Sequence, residues 1–185
     1  MKTKHYLAEV LKELTQTADL ISDIEAEELV NKIVQARKVF VSGAGRSGFM
    51  AKSFAMRMMH MGIDAYVPGE TITPNFEEGD LIIIGSGSGE TKSLVSLAEK
   101  AKSIGGTVAA VTIFPESTIG KIADLTVSLP GSPKKQSEND YQTIQPMGSL
   151  FEQTLLLFFD SVILRFMEKK GLDTHKMYGK HANLE

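Results

Sequence analysis

The sequence predicts an α/β protein with a five-stranded parallel sheet flanked by helices, in a flavodoxin-like three-layer sandwich. Three observations lead there. Short aliphatic and β-branched runs alternate with stretches of helical periodicity along most of the 185 residues. The central run, Leu81-Ile82-Ile83-Ile84, is apolar at every position, as a strand buried on both faces of a parallel sheet requires. Two of the runs pass directly into glycine-rich turns and then into helices, at the sheet edge where such proteins hold their ligands.

Taken in order, Leu7, Val10, Leu11, Leu14, Ala18 and Ile21 recur at helical spacing and form an amphipathic N-terminal helix. Ser22 and Glu25 have capping-box spacing and open a second helix, with Leu29, Val30, Ile33 and Val34 on its apolar side. Both precede the first strand and suit packing or subunit contact. Strands are expected over 38–42, near 65–67, and over 81–84, 107–113 and 125–129. Helices are expected over 47–61, 92–104, 117–123 and from 150 to about 167. The helix over 47–61 carries Met50, Met56, Met58, Met59 and Met61, which suit a core or a subunit interface because methionine fills irregular gaps. The last helix is apolar on most sides, but Glu152, Gln153, Asp160 and Arg165 interrupt it and argue against a membrane span. Residues 130–146 lack periodicity and form a long loop, where Lys134 and Lys135 either attract an anion or are simply surface. The whole, 1–185, is expected to be one domain, with N-terminal helices over 3–36 and a polar tail over 171–185.

Composition narrows the function. A hydrophobic share of 42% with 23% charged residues fits a soluble globular chain. A formal net charge of -3 gives no electrostatic reason to expect a nucleic-acid or membrane partner. There is no cysteine, so disulfides and thiolate metal sites are excluded, which fits a reducing cytoplasm. The N-terminal segment is charged and amphipathic, unlike the apolar core of a signal peptide.

The candidate chemistry gathers at the two glycine turns. After the third strand, Gly85-Ser86-Gly87-Ser88-Gly89-Glu90-Thr91 leads into a helix. The glycines let backbone approach a ligand, and the helix N-terminus offers N–H groups and a positive dipole end to an anion. Ser86, Ser88 and Thr91 add hydroxyl donors, so this turn reads as a seat for a phosphate group. After the first strand, Gly43-Ala44-Gly45-Arg46-Ser47-Gly48 meets the G-x-G-x-x-G spacing of a dinucleotide site, a weak signal here because the next strand ends in Pro68-Gly69, with Glu70 placed only loosely to hold a ribose. Arg46 and Ser47 instead suit further anion contacts. No Walker lysine pattern is evident, which counts against ATP or GTP hydrolysis, and neither metal-ligand spacing nor a nucleophile elbow with identifiable partners appears. Proton chemistry remains. Glu152 lies in the first turns of an apolar helix, and burial among apolar neighbours moves a carboxyl group toward the range of a general base.

With Gln145-Pro146-Met147-Gly148-Ser149-Leu150-Phe151-Glu152-Gln153 and the terminal His181-Ala182-Asn183-Leu184-Glu185, these turns resemble the sugar-isomerase (SIS) family, and within it the 6-phospho-3-hexuloisomerase branch. The resemblance runs through essentially the whole chain. It implies interconversion of D-arabino-hex-3-ulose 6-phosphate and D-fructose 6-phosphate, in the ribulose monophosphate pathway of formaldehyde fixation. It also implies no cofactor, a homotetramer, and 3-hexulose-6-phosphate synthase as pathway neighbour. By the family pattern Ser47, Ser86, Ser88 and Thr91 match the phosphate-binding hydroxyls, with Gly45, Arg46, Gly87 and Gly89 around the rest of the ligand. Glu152 is the expected base. His181 is expected to move protons on the sugar oxygens or open the sugar ring, from a neighbouring subunit. Glu70 and Glu90 stand in reserve as carboxylates, Glu90 more as a cap on its own helix. The competing expectations are a non-catalytic sugar-phosphate-sensing SIS module and a nucleotide-binding Rossmann protein.

Overall fold

The structure is a computed structural model that describes residues 2–132, 141–173, 177, 179 and 181. Its elements run α1 (Thr3–Ala18), α2 (Asp23–Gln35), β1 (Val39–Gly43), α3 (Arg46–His60), β2 (Ala65–Tyr66), β3 (Leu81–Gly85), α4 (Lys92–Ile104), β4 (Thr107–Thr112), α5 (Thr118–Ile122), β5 (Leu125–Ser128) and α6 (Ser149–Lys170). All five strands are parallel, in the order β2-β1-β3-β4-β5. The chain therefore reverses direction across the sheet between β1 and β3, which makes their carboxyl ends the switch point where open α/β sheets bind ligands. Gly43 pairs with Gly85 in register, so the two glycine turns leave the sheet side by side.

Alternation along the strands builds the layers. Val39, Val41, Leu81, Ile83, Ala109, Val111 and Val127 point to one face and pack with Leu29, Ile33, Phe54, Met58, Leu155, Phe159 and Val162 of α2, α3 and α6. Phe40, Ile82, Ile84, Val108 and Ala110 point to the other, against Leu94, Ala98, Ala101 and Ile119 of α4 and α5. Phe54 of α3 stacks on Phe159 of α6 with ring planes 1° apart and centroids at 4.2 Å, which fixes α6 over the sheet. The methionines of α3 divide by face. Met58 is fully buried, whereas Met56 and Met59 are exposed, as is Phe49.

Two local expectations change. The capping box at α2 is half made: Ser22 Oγ accepts from the Glu25 N–H at 3.3 Å. Glu25 itself turns away, and its Oε2 accepts from the Ser128 N–H at 2.8 Å, pinning α2 to the end of β5. The final helix runs to Lys170, past the expected Met167, and closes on Gly171 in the left-handed region. Among the described residues no helix is long and apolar enough to cross a membrane. Lys134, Lys135, His175 and residues 182–185 lie outside the described residues.

Candidate active site

Backbone packing sets the site. A Cβ on Gly43 would stand 2.9 Å from the Ser47 carbonyl, and one on Gly48 would stand 2.8 Å from the Gly43 oxygen. These two glycines let the first turn of α3 press directly onto the end of β1. In the second turn Gly89 has φ 62°, and a side chain there would run into Ser117. Ser86 Oγ and Ser88 Oγ accept the N–H groups of Gly89 and Glu90, each at 3.2 Å. Those bonds hold the turn and leave both hydroxyl protons to donate. Thr91 caps α4 with backbone alone, since its side chain makes no capping bond.

The turns converge on a cavity of about 270 Å³ at the carboxyl edge of the sheet. Gly45, Arg46, Ser47, Ser86, Gly87, Ser88, Thr91 and Glu152 all line it. Gly89 stands in the same turn, but shapes its backbone and does not line the cavity. Ser47 and Ser86 are buried. A larger groove of about 860 Å³ lies between α2 and α6, but it lacks any glycine turn or cluster of hydroxyls.

Glu152 enters from the first turn of α6 and is buried, as expected. Its surroundings are not simply apolar, which corrects the expectation. Arg46 Nε lies 3.1 Å from Glu152 Oε2, and Arg46 Nη1 donates to Ser149 Oγ at 2.9 Å. A guanidinium thus spans the first turn of α6 from the first turn of α3, holding the carboxylate beside the hydroxyl seat. The approach to α6 is fixed from the other side by Glu13 of α1, whose carboxylate accepts from Thr143 Oγ1, the Ile144 N–H and Gln145 Nε2 at 2.6, 2.8 and 2.9 Å.

The reserve carboxylates are occupied elsewhere. Glu70 pairs with Lys52 at 2.6 Å in an exposed bridge. Glu90 caps α5 and not its own helix α4: it accepts from the Thr118 N–H and Oγ1, both at 2.7 Å. The backbone bond, then the hydroxyl, holds its carboxyl below the usual range, the wrong direction for a base.

His181 is not brought to this cavity in its own chain. Its ring stacks on buried His60 at 5.3 Å, at the far end of α3 from Arg46. A helix of 15 residues separates the two ends by roughly 22 Å. Burial, then Arg57 and His181, keeps the His60 imidazole below its ordinary value.

Two polar residues were missed in the sequence. Ser132 lines the cavity but sits alone in a loop and shows no pattern, and Ser149, beside the cavity, gains meaning only from the guanidinium that reaches it.

The model of the SIS domain matches residues 32–157. The chain belongs to the SIS family. Among SIS relatives, the 3-hexulose-6-phosphate isomerase of Bacillus subtilis is 63% identical over the full length of both chains. The 3-hexulose-6-phosphate isomerase of Mycobacterium gastri is 37% identical, over 97% of this chain and 89% of that one. A crystal structure from Methanococcus jannaschii, described as inferring a function of 3-hexulose-6-phosphate isomerase, superposes with a TM-score of 0.84. It is 35% identical and covers 98% of this chain and 99% of that one.

Proposed function

We propose that this chain is a 3-hexulose-6-phosphate isomerase, interconverting D-arabino-hex-3-ulose 6-phosphate and D-fructose 6-phosphate in the ribulose monophosphate pathway. The observation that carries this is one cavity in which a buried carboxylate, Glu152, meets a seat of hydroxyls from two glycine turns. Full-length identity of 63% to the Bacillus subtilis enzyme supports the choice of substrate.

Moving a carbonyl between C3 and C2 takes a proton from one carbon and returns one to the other. Glu152 serves as a single base for both transfers, on one face of a cis-enediol. Arg46 orients it and offers positive charge where the enediol oxygens develop negative charge. Ser47, Ser86, Ser88 and Thr91 anchor the phosphate, with the α4 N-terminus behind them. They position the substrate and do not react.

The remaining readings extend this one. The whole chain acts as one SIS domain in the cytoplasm. Exposed Phe49, Met56 and Met59 on α3, with Leu157 and Leu164 on α6, support a homotetramer, whose contacts bring the tail with His181 to a neighbour's cavity. The upstream partner is a synthase that joins formaldehyde to ribulose 5-phosphate. The test is a coupled assay: purified chain plus that synthase, formaldehyde and ribulose 5-phosphate should yield fructose 6-phosphate. A chain that binds fructose 6-phosphate yet forms none would be a sensor and not an isomerase.

A further inference from the structure

Among the described residues, two buried side-chain oxygens lack a hydrogen-bond partner: Asp80 Oδ1 and Ser132 Oγ. They differ in setting. Asp80 lies before the amino end of β3, and its other oxygen is fully engaged by Lys38 Nζ at 3.2 Å and the Glu77 N–H at 2.9 Å. Ser132 lies past the carboxyl end of β5, has no exposed surface, and lines the cavity that holds Glu152.

A buried hydroxyl without a partner is costly in the free protein, and an alanine would remove the cost at no loss of packing volume worth naming. Its immediate setting is tight. A Cβ on the preceding Gly131 would stand 2.9 Å from Phe151 Cβ and 3.0 Å from Ile113 Cδ1. The same Phe151 and Ile113 side chains lie 3.1 and 3.4 Å from where a Cβ on Gly87 would be. An apolar pair therefore stands between the β5 side of the cavity and the phosphate turn, and Phe151 is the residue before Glu152. A sugar phosphate carries hydroxyls along its chain that the phosphate seat cannot satisfy.

We propose that Ser132 is a substrate-binding residue, whose Oγ hydrogen-bonds an oxygen of the sugar chain and not of the phosphate. This rests on the isomerase reading above and adds to it a contact that separates the sugar from a bare anion. Binding of the sugar supplies the partner that the hydroxyl lacks in the free protein.

The test compares the wild-type chain with Ser132→Ala, and with Ser132→Cys as a variant of closer volume. Melting temperatures are measured without ligand, dissociation constants are measured for fructose 6-phosphate and for inorganic phosphate, and KM and kcat are measured in the isomerase assay. The expected result is a ligand-free melting temperature equal to or above wild type. Affinity for fructose 6-phosphate falls by roughly three- to tenfold, the range of one neutral hydrogen bond. Affinity for phosphate stays unchanged, and KM rises with kcat held. A lowered ligand-free melting temperature with unchanged sugar affinity overturns the assignment, because the hydroxyl then serves the fold. Equal losses for sugar and phosphate also overturn it, because Ser132 would belong to the anion seat. Failure of the wild-type chain to bind fructose 6-phosphate would instead sink the isomerase reading, and this contact with it.

Discussion

Replacing Glu13 with alanine removes the clamp that ties the N-terminal helix to the segment leading into α6. Three donors converge on this carboxylate: Thr143 Oγ1, the Ile144 N–H and Gln145 Nε2. Gln145 in turn accepts from Gln153 Nε2 at 2.7 Å, one residue beyond Glu152. Hydrogen bonds to a charged group contribute about 1.5–3 kcal/mol each, but exposed donors such as the Ile144 N–H recover much of that from water. The buried Gln145 amide does not. The net loss should be about 2 kcal/mol, or about 4–8 °C in melting temperature for a chain of this size. The dependence on pH has a definite sign. Burial pushes the Glu13 carboxyl up, but bonds from Thr143, Gln145 and Ile144 outweigh it and hold the group below its ordinary value of 4.5. Its contribution is therefore complete above that value and is lost as pH falls through the lower, folded-state value. Thermal denaturation of wild type and Glu13→Ala, followed by circular dichroism across acid pH, should show a gap that is constant near neutrality and narrows below 4.5. An unchanged melting temperature at neutral pH, or a gap that persists undiminished into acid, would refute the clamp.

Other perturbations separate structural from chemical roles. Glu90→Gln should lower the melting temperature by weakening the cap on α5 while leaving turnover within about twofold of wild type; a collapse of turnover without a stability change would make Glu90 the base. Gly89→Ala places a side chain at φ 62° against Ser117 and should cost more than about 2 kcal/mol in denaturant unfolding. A neutral result there would mean the second turn is looser than its geometry states. Removing residues 181–185 should lower isomerisation in both directions while leaving fructose 6-phosphate binding largely intact; full activity would remove His181 from the mechanism.

Much of this was legible in the sequence because it is local. The five strands, the two glycine turns and the apolar face of each helix follow from periodicity, and Ser47, Ser86, Ser88, Thr91 and Glu152 all reach one cavity. What was hidden is long-range. Nothing in the sequence pairs Arg46 with Glu152, 106 positions apart, or Glu13 with Gln145, because such contacts depend on how layers dock and not on spacing. Glu90 misleads for the same reason: its position predicts a cap on α4, whereas the neighbouring turn brings Thr118 within reach. The spacing of Gly43, Gly45 and Gly48 likewise does not say what each glycine serves: Gly43 and Gly48 let α3 press onto β1, whereas Gly45 takes a φ of 59° at the start of α3.

The central claim is that Glu152 moves a proton between C2 and C3 of a sugar phosphate held by the two turns. Incubating the chain with fructose 6-phosphate in deuterium oxide and locating the label by NMR tests it most directly. The account predicts deuterium at C3 with the wild-type chain. In Glu152→Gln the rate of incorporation should fall by roughly 10²–10⁴-fold while fructose 6-phosphate still binds. Label appearing at C1, or at C3 as fast in Glu152→Gln as in wild type, would contradict it.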